Sequence, residues 1–125
     1  MKKVITSKMA PAPIGPYNQA IQAGHTLYVS GQIALDPFSQ LMVNQNIEME
    51  TNQVMKNLLA ILEEAGADFS KVVKCSIFVK DLNNFATINK VYGEYFTSDF
   101  PARETVEVSR LPKDANVEIS CIAVL

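Results

Sequence analysis

The segment DFPARETVEVSRLPKDANVEIS, residues 99–120, delivers an arginine to the start of a strand directly after a Phe-Pro-Ala turn. With a period of two, Arg103, Thr105, Glu107 and Ser109 share one face, and Glu104, Val106 and Val108 share the other. Alternation alone fits a solvent-exposed Arg103 paired with Glu107, a contact worth little at a surface. The alternative is an anion clamp, in which the planar guanidinium holds a carboxylate through two parallel hydrogen bonds. Two weaker signals stand beside it. Tyr17 follows Gly15-Pro16 on an irregular segment, where it either closes a core edge or points its hydroxyl into a cleft. Gly31, after Ser30, interrupts a strong strand, which marks a bulge or a close approach by backbone or ligand.

Much chemistry is excluded. His25 is the only histidine and sits in a turn beside Gly24, so no His pair, Ser-His-Asp set or HExxH zinc motif exists. No Gly-rich phosphate loop is present. The net charge is −2 and the pI about 5.3, which argues against nucleic acid as a partner. Cys75 and Cys121 lie in alternating apolar runs, without metal spacing. They read as small buried thiols of a reducing, cytoplasmic compartment. The N-terminal MKKVITSKMAPAPIGP carries no apolar stretch that reads as a signal peptide or membrane span.

These residues must be positioned by a fold. The 125 residues suit one domain, 1–125. A short strand at the start, a hairpin of Ala20–Ala23 and Thr26–Leu35, and a loop opened by Asp36-Pro37 come first. A helix follows from about Ile47 to Ala65, with Val54, Leu58, Ile61 and Leu62 on one face. Asn46 caps it, Glu48 and Glu50 suit its positive end, and Gly66 ends it. Next comes a strand with Val73, Cys75, Ile77 and Val79 on one face. A second helix capped by Asp81 or Asn83 runs to about Phe96, burying Phe85, Ile88, Tyr92 and Tyr95. Two strands end the chain. The order β-β-β-α-β-α-β-β predicts an α+β fold, a mixed sheet of about six strands with two helices on one face. The last strand is apolar on both faces, Ile119, Cys121 and Ala123 on one and Ile122 and Val124 on the other. With no third helix to cover it, self-association is expected.

Four segments together resemble one family over essentially the whole chain. APAPIGPYNQAI, LYVSGQIALDP, NLLAILEEAGADFSKVVKCSIFVKDLNNFATINKVYGEYF and FPARETVEVSRLPKDANVEI are similar to the RidA family, also called YjgF or perchloric-acid-soluble proteins. The resemblance implies a chorismate-mutase-like fold in a homotrimer with clefts between subunits. It implies hydrolysis of reactive enamines and imines, 2-aminoacrylate and 2-iminopropanoate, to 2-oxo acids and ammonia, with no metal or cofactor. Carried over by position, Arg103 binds the substrate carboxylate, Tyr17 closes the cleft, Ser30 and Gly31 line it, and Asn89 stands at its edge.

The chain also departs from the family pattern. Thr105 stands where well-studied members carry Cys, and Asn18 replaces a Ser often seen after the Tyr. Ser120 stands where the resemblance implies a Glu that positions or activates water. Glu118, two residues back on the same face, is roughly 6–7 Å away and expected to be too far to substitute. Gln40 occupies a loop position where Gly is common, which strains the backbone if that position needs positive φ. Three functions compete: an imine deaminase, a non-catalytic module binding 2-oxo acids, and an endoribonuclease or translation inhibitor. The acidic pI and the lack of an aromatic-basic stripe argue against the last.

Overall fold

A computed structural model describes residues 1–125. The strands are β1 Lys2–Ile5, β2 Ala20–Ala23, β3 Thr26–Gln32, β4 Val72–Val79, β5 Ala102–Glu107 and β6 Val117–Val124, and the helices are α1 Ile47–Glu64 and α2 Phe85–Gly93. The six strands form one sheet in the order β1-β2-β3-β6-β4-β5. Only β4 and β5 run parallel; the other neighbours are antiparallel. This is the expected α+β arrangement. β6 occupies the middle of the sheet, between β3 and β4.

Both helices pack on one face. Leu27, Val29, Cys75, Ile77, Ile119 and Cys121 from the sheet meet Val54, Leu58, Ile61, Leu62, Ile88 and Tyr92 from the helices in one core. The α1 start follows the sequence, since the Asn46 side chain accepts from the Met49 N–H at 2.8 Å. Its end does too, with Gly66 at φ +78°. The opposite face carries no helix. Tyr28, Val106 and Val124 there are 50%, 44% and 45% exposed, so the expected shortage of cover is real within one chain.

Four local expectations change. Val73 is exposed and Val72 takes its place in the core, because a register shift between Val72 and Lys74 rotates the strand start. The second helix ends at Gly93, not Phe96, a residue of poor helix propensity. Asp81 caps a 3-10 turn, Leu82–Asn84, that leads into α2, not the helix itself. Val91 joins Ile88 and Tyr92 on its buried side while Phe85 stays 37% exposed.

Glu50 was read as a helix-dipole partner, and its burial was not foreseen. It is fully buried and accepts from the Asn116 backbone N–H at 2.7 Å and from its side-chain amide at 2.8 Å. It thereby fastens α1 to the residue that opens β6. Gln40 does adopt the left-handed conformation, φ +61°. Glu50→Ala strands the Asn116 donors and is expected to cost roughly 3 kcal/mol in urea unfolding. Gln40→Gly relieves the left-handed strain and is expected to add roughly 0.5–1 kcal/mol in the same measurement.

Candidate functional site

The irregular segment before β2 is ordered by a buried glutamine. Gln19, 2% exposed, donates to the carbonyls of Ser7, Ala10 and Pro11 and accepts from the Ser7 N–H. These bonds replace the secondary structure that Pro and Gly forbid. Ser30 reinforces them, its hydroxyl donating to the Asn18 carbonyl at 2.6 Å and its N–H to Gln19 O at 2.9 Å. Tyr17 is thus held, half exposed, at the mouth of a pocket that Gly31 and Glu118 also line.

Gly31 lies in a bulge, as its place in the strand suggested. The β3–β6 register shifts between Val29 and Gln32. A Cβ at residue 31 would stand 2.7 Å from Glu118 Oε2, so only glycine leaves the carboxylate its place. Burial pushes the Glu118 carboxyl above its ordinary 4.5.

Arg103 occupies a second region. Its strand register pairs it with Cys75, and Thr105 with Ile77, so both face the helix layer. Val106 of β5 faces the open side, the reverse of a solvent-facing arginine. Arg103 Nη1 donates to Asn89 Oδ1 at 2.7 Å. Its guanidinium lies 5.1 Å from the Tyr92 ring centroid and 5.6 Å from that of Phe85. Glu107 is not its partner; that carboxylate accepts from the Leu82 N–H. Burial, then the nearby Cys75 thiol, pushes the Tyr92 phenol far up, so Tyr92 is a neutral platform for the cation. With Asn89 holding one of its N–H groups, Arg103 lines a surface hollow together with Phe100 and Pro101.

Within one chain the two regions stay apart. Tyr17, Gly31 and Glu118 meet, and so do Arg103 and Asn89, but neither set reaches the other. Glu118 and Arg103 lie two strands and three residues of register apart, roughly 14 Å, and point to opposite faces. Ser30 is spent on the backbone bond just described. The Thr105 hydroxyl is buried without a hydrogen-bond partner. Ser120 pairs across the sheet with Ser76 and lies outside the Tyr17 pocket. Glu118, and not Ser120, lines this pocket, where the bulge and the bare glycine admit its carboxylate. One sequence signal pointed there: Glu118 and Ser120 are the only polar residues on that face of an otherwise apolar strand. Cys75 and Cys121 are buried, and burial raises both thiols, so neither offers a ready thiolate.

The Glu118 shift has a sign that can be tested. Its folded pKa is raised, so the native state holds the proton more tightly than the unfolded chain. Stability from this group is complete below 4.5 and is lost as pH rises through the folded pKa. Glu118→Gln removes that loss. Its melting temperature is expected to exceed that of the wild type at pH 7 and to match it at pH 4, by thermal denaturation.

Comparison with known proteins shows the family and agrees with the fold. A family model described as endoribonuclease L-PSP matches residues 7–125. A RutC family protein of Synechocystis is 52% identical, covering 98% of this chain and 96% of its own. The 2-iminobutanoate/2-iminopropanoate deaminase of Mus musculus is 46% identical, covering 99% and 92%. A crystal structure of a Rid family protein from Yersinia pestis superposes with a TM-score of 0.97 at 48% identity, covering both chains completely. By fold and by sequence along nearly its whole length, the chain belongs to the Rid (YjgF) family.

Proposed function

We propose that this chain, acting as one domain over residues 1–125, hydrolyses reactive 2-imino acids and their enamine tautomers to 2-oxo acids and ammonia. The deaminase name of the mouse relative supports this class of reaction. The observation that carries the reading is Glu118, a half-buried carboxyl of raised pKa in a pocket with Tyr17. Arg103 supplies the second requirement, a guanidinium already oriented by Asn89 and two aromatic rings.

Arg103 fixes the substrate carboxylate. Water adds to the carbon of the protonated imine while Glu118 takes one water proton, giving a neutral carbinolamine. Glu118 returns that proton to the nitrogen, the C–N bond breaks as the hydroxyl oxygen becomes the carbonyl, and the hydroxyl proton passes by way of Glu118 to the released ammonia, leaving ammonium and the 2-oxo acid. Proximity does most of the work, since an imine carbon is already electrophilic. No cofactor is needed for this chemistry.

Because the two regions face apart in one chain, the reaction requires a neighbour. The uncovered sheet face of one subunit receives the β5 edge of the next, so that Arg103 of one copy meets Glu118 of another. A homotrimer closes three such clefts. The alternative, a module that binds 2-oxo acids without turnover, needs Arg103 but not Glu118.

The test generates 2-aminoacrylate in situ with a serine dehydratase and follows 2-oxo acid release against semicarbazide. Arg103→Ala is expected to lower kcat/KM at least ~10²-fold by loss of orientation. Arg103→Lys should recover little, because lysine lacks the fork. Glu118→Gln is expected to cost ~10²–10⁴-fold in kcat. Sedimentation should give a trimer for all of them. Tight 2-oxo acid binding with no turnover by the wild type would replace the deaminase reading with the binding one.

A further inference from the structure

Cys75 and Cys121 have no part in the chemistry above, yet their placement is specific. They stand directly opposite each other in the antiparallel β4–β6 ladder, and both belong to the helix-side core. Opposite residues in such a ladder have Cα atoms about 4.5 or 5.5 Å apart, depending on whether the pair is hydrogen-bonded. Both spacings lie within the range of about 4.4–6.8 Å that a disulfide spans. Their Cβ atoms stand about 4.5–5.5 Å apart, against about 3.8 Å across a disulfide. Bridging therefore draws the strands together by about 1 Å and leaves the bond strained. Strained disulfides are the readily reduced, regulatory kind.

The ladder carries the pair to Arg103. Cys75 stands opposite Arg103 on β5 as it stands opposite Cys121 on β6. The Tyr92 hydroxyl is buried near the Cys75 thiol without a well-formed hydrogen bond, so it is sensitive to what happens to that sulfur. Tyr92 also forms the platform for the guanidinium, and its other partners, Phe85 and Asn89, belong to the same helix. That helix is weakly secured. α2 has nine residues, and Asn84 before it makes no side-chain cap. Elements of this kind open locally before the whole fold does. Lifting α2 takes Tyr92 off Cys75 and withdraws all three supports of Arg103.

We infer that Cys75 and Cys121 form a reversible cross-strand disulfide, and that its formation loosens the Arg103 clamp through Tyr92. The oxidant is a peroxide. With α2 lifted, the Cys75 sulfur attacks one peroxide oxygen, the O–O bond breaks, and a sulfenic acid remains. The Cys121 sulfur then attacks the Cys75 sulfur, the S–O bond breaks, and the disulfide closes. Two electrons pass from the sulfurs to the peroxide, which takes the two thiol protons and leaves as two waters. Bridging pulls β4 toward β6 at the position facing Arg103 and removes the thiol from beside the Tyr92 hydroxyl. The bridge stands apart from the deaminase reading; its effect on ligand binding rests on that reading.

The full-length protein is treated with hydrogen peroxide, alkylated, digested and analysed by mass spectrometry. A linked pair of Cys75 and Cys121 peptides, lacking two hydrogens and split by dithiothreitol, is expected. Calorimetry with pyruvate should show affinity falling at least ~threefold on bridging, the scale of one cation–π contact, and returning with dithiothreitol. Cys121→Ala keeps every methionine and should lose no affinity under the same treatment. Ile88→Ala loosens α2 and should speed bridging at least ~fivefold, while Ile5→Ala, in distant β1, should not. Circular dichroism shows that these variants are folded. Absence of the linked peptide, unchanged pyruvate affinity after bridging, or an equal loss in Cys121→Ala overturns the switch. If the reduced protein neither binds pyruvate nor turns over the imine, the deaminase reading falls and hydrogen exchange decides the switch. The α2 amides must then exchange at least ~fivefold faster in the bridged protein, and equal exchange overturns it.

Discussion

Two helices can cover only one face of a six-stranded sheet, and most of this molecule follows from that inequality. The helix layer takes the odd-numbered residues of β6, from Val117 to Ala123, and buries them completely or nearly so. The even-numbered residues, Glu118, Ser120, Ile122 and Val124, are left on a face without helices. Burial by the helices makes the fold stable. The lack of burial opposite leaves the Glu118 carboxyl and the pocket beside Tyr17 on the uncovered side of the same strand.

The same division explains the two kinds of polar group in the chain. Glu50, Asn57 and Gln19 are buried on the structural side, and each is satisfied by named partners: Asn116, the carbonyls of Ile33 and Leu35, and the loop carbonyls of residues 7 to 11. Such groups cost little when paired and much when stranded. Glu118 is of the other kind. Burial raises its pKa with no opposing cause. Arg103 combines the two, being anchored by Asn89 and stacked on rings yet left with donors to spend.

Glycine 31 connects these themes. Its missing side chain admits the Glu118 carboxylate over β3, and the bulge around it breaks the ladder that would otherwise fill the space. At the other end of the same pocket the left-handed pair Lys113 and Asp114 holds Pro112 over the opening. A flat sheet thereby acquires a concave, partly apolar recess without a single additional element.

Element order, the helix faces, the Asn46 cap, the bulge at Gly31 and the need for cover on β6 were all legible in the residues, because periodicity, caps and turn chemistry are local. The family resemblance rested on such local segments as well. Which way β5 turned its alternation was not legible: Arg103 faces the helices, and the valines face outward, because β5 is an edge strand whose register is dictated by β4. Nor was the carboxylate that lines the Tyr17 pocket. Ser120 and Glu118 are equivalent by alternation, and the close approach of Gly31, from a strand eighty-seven residues earlier, sets Glu118 against that pocket. Contacts between distant segments depend on register and bulges, which sum over the whole sheet, and a single stretch of sequence carries no record of that sum.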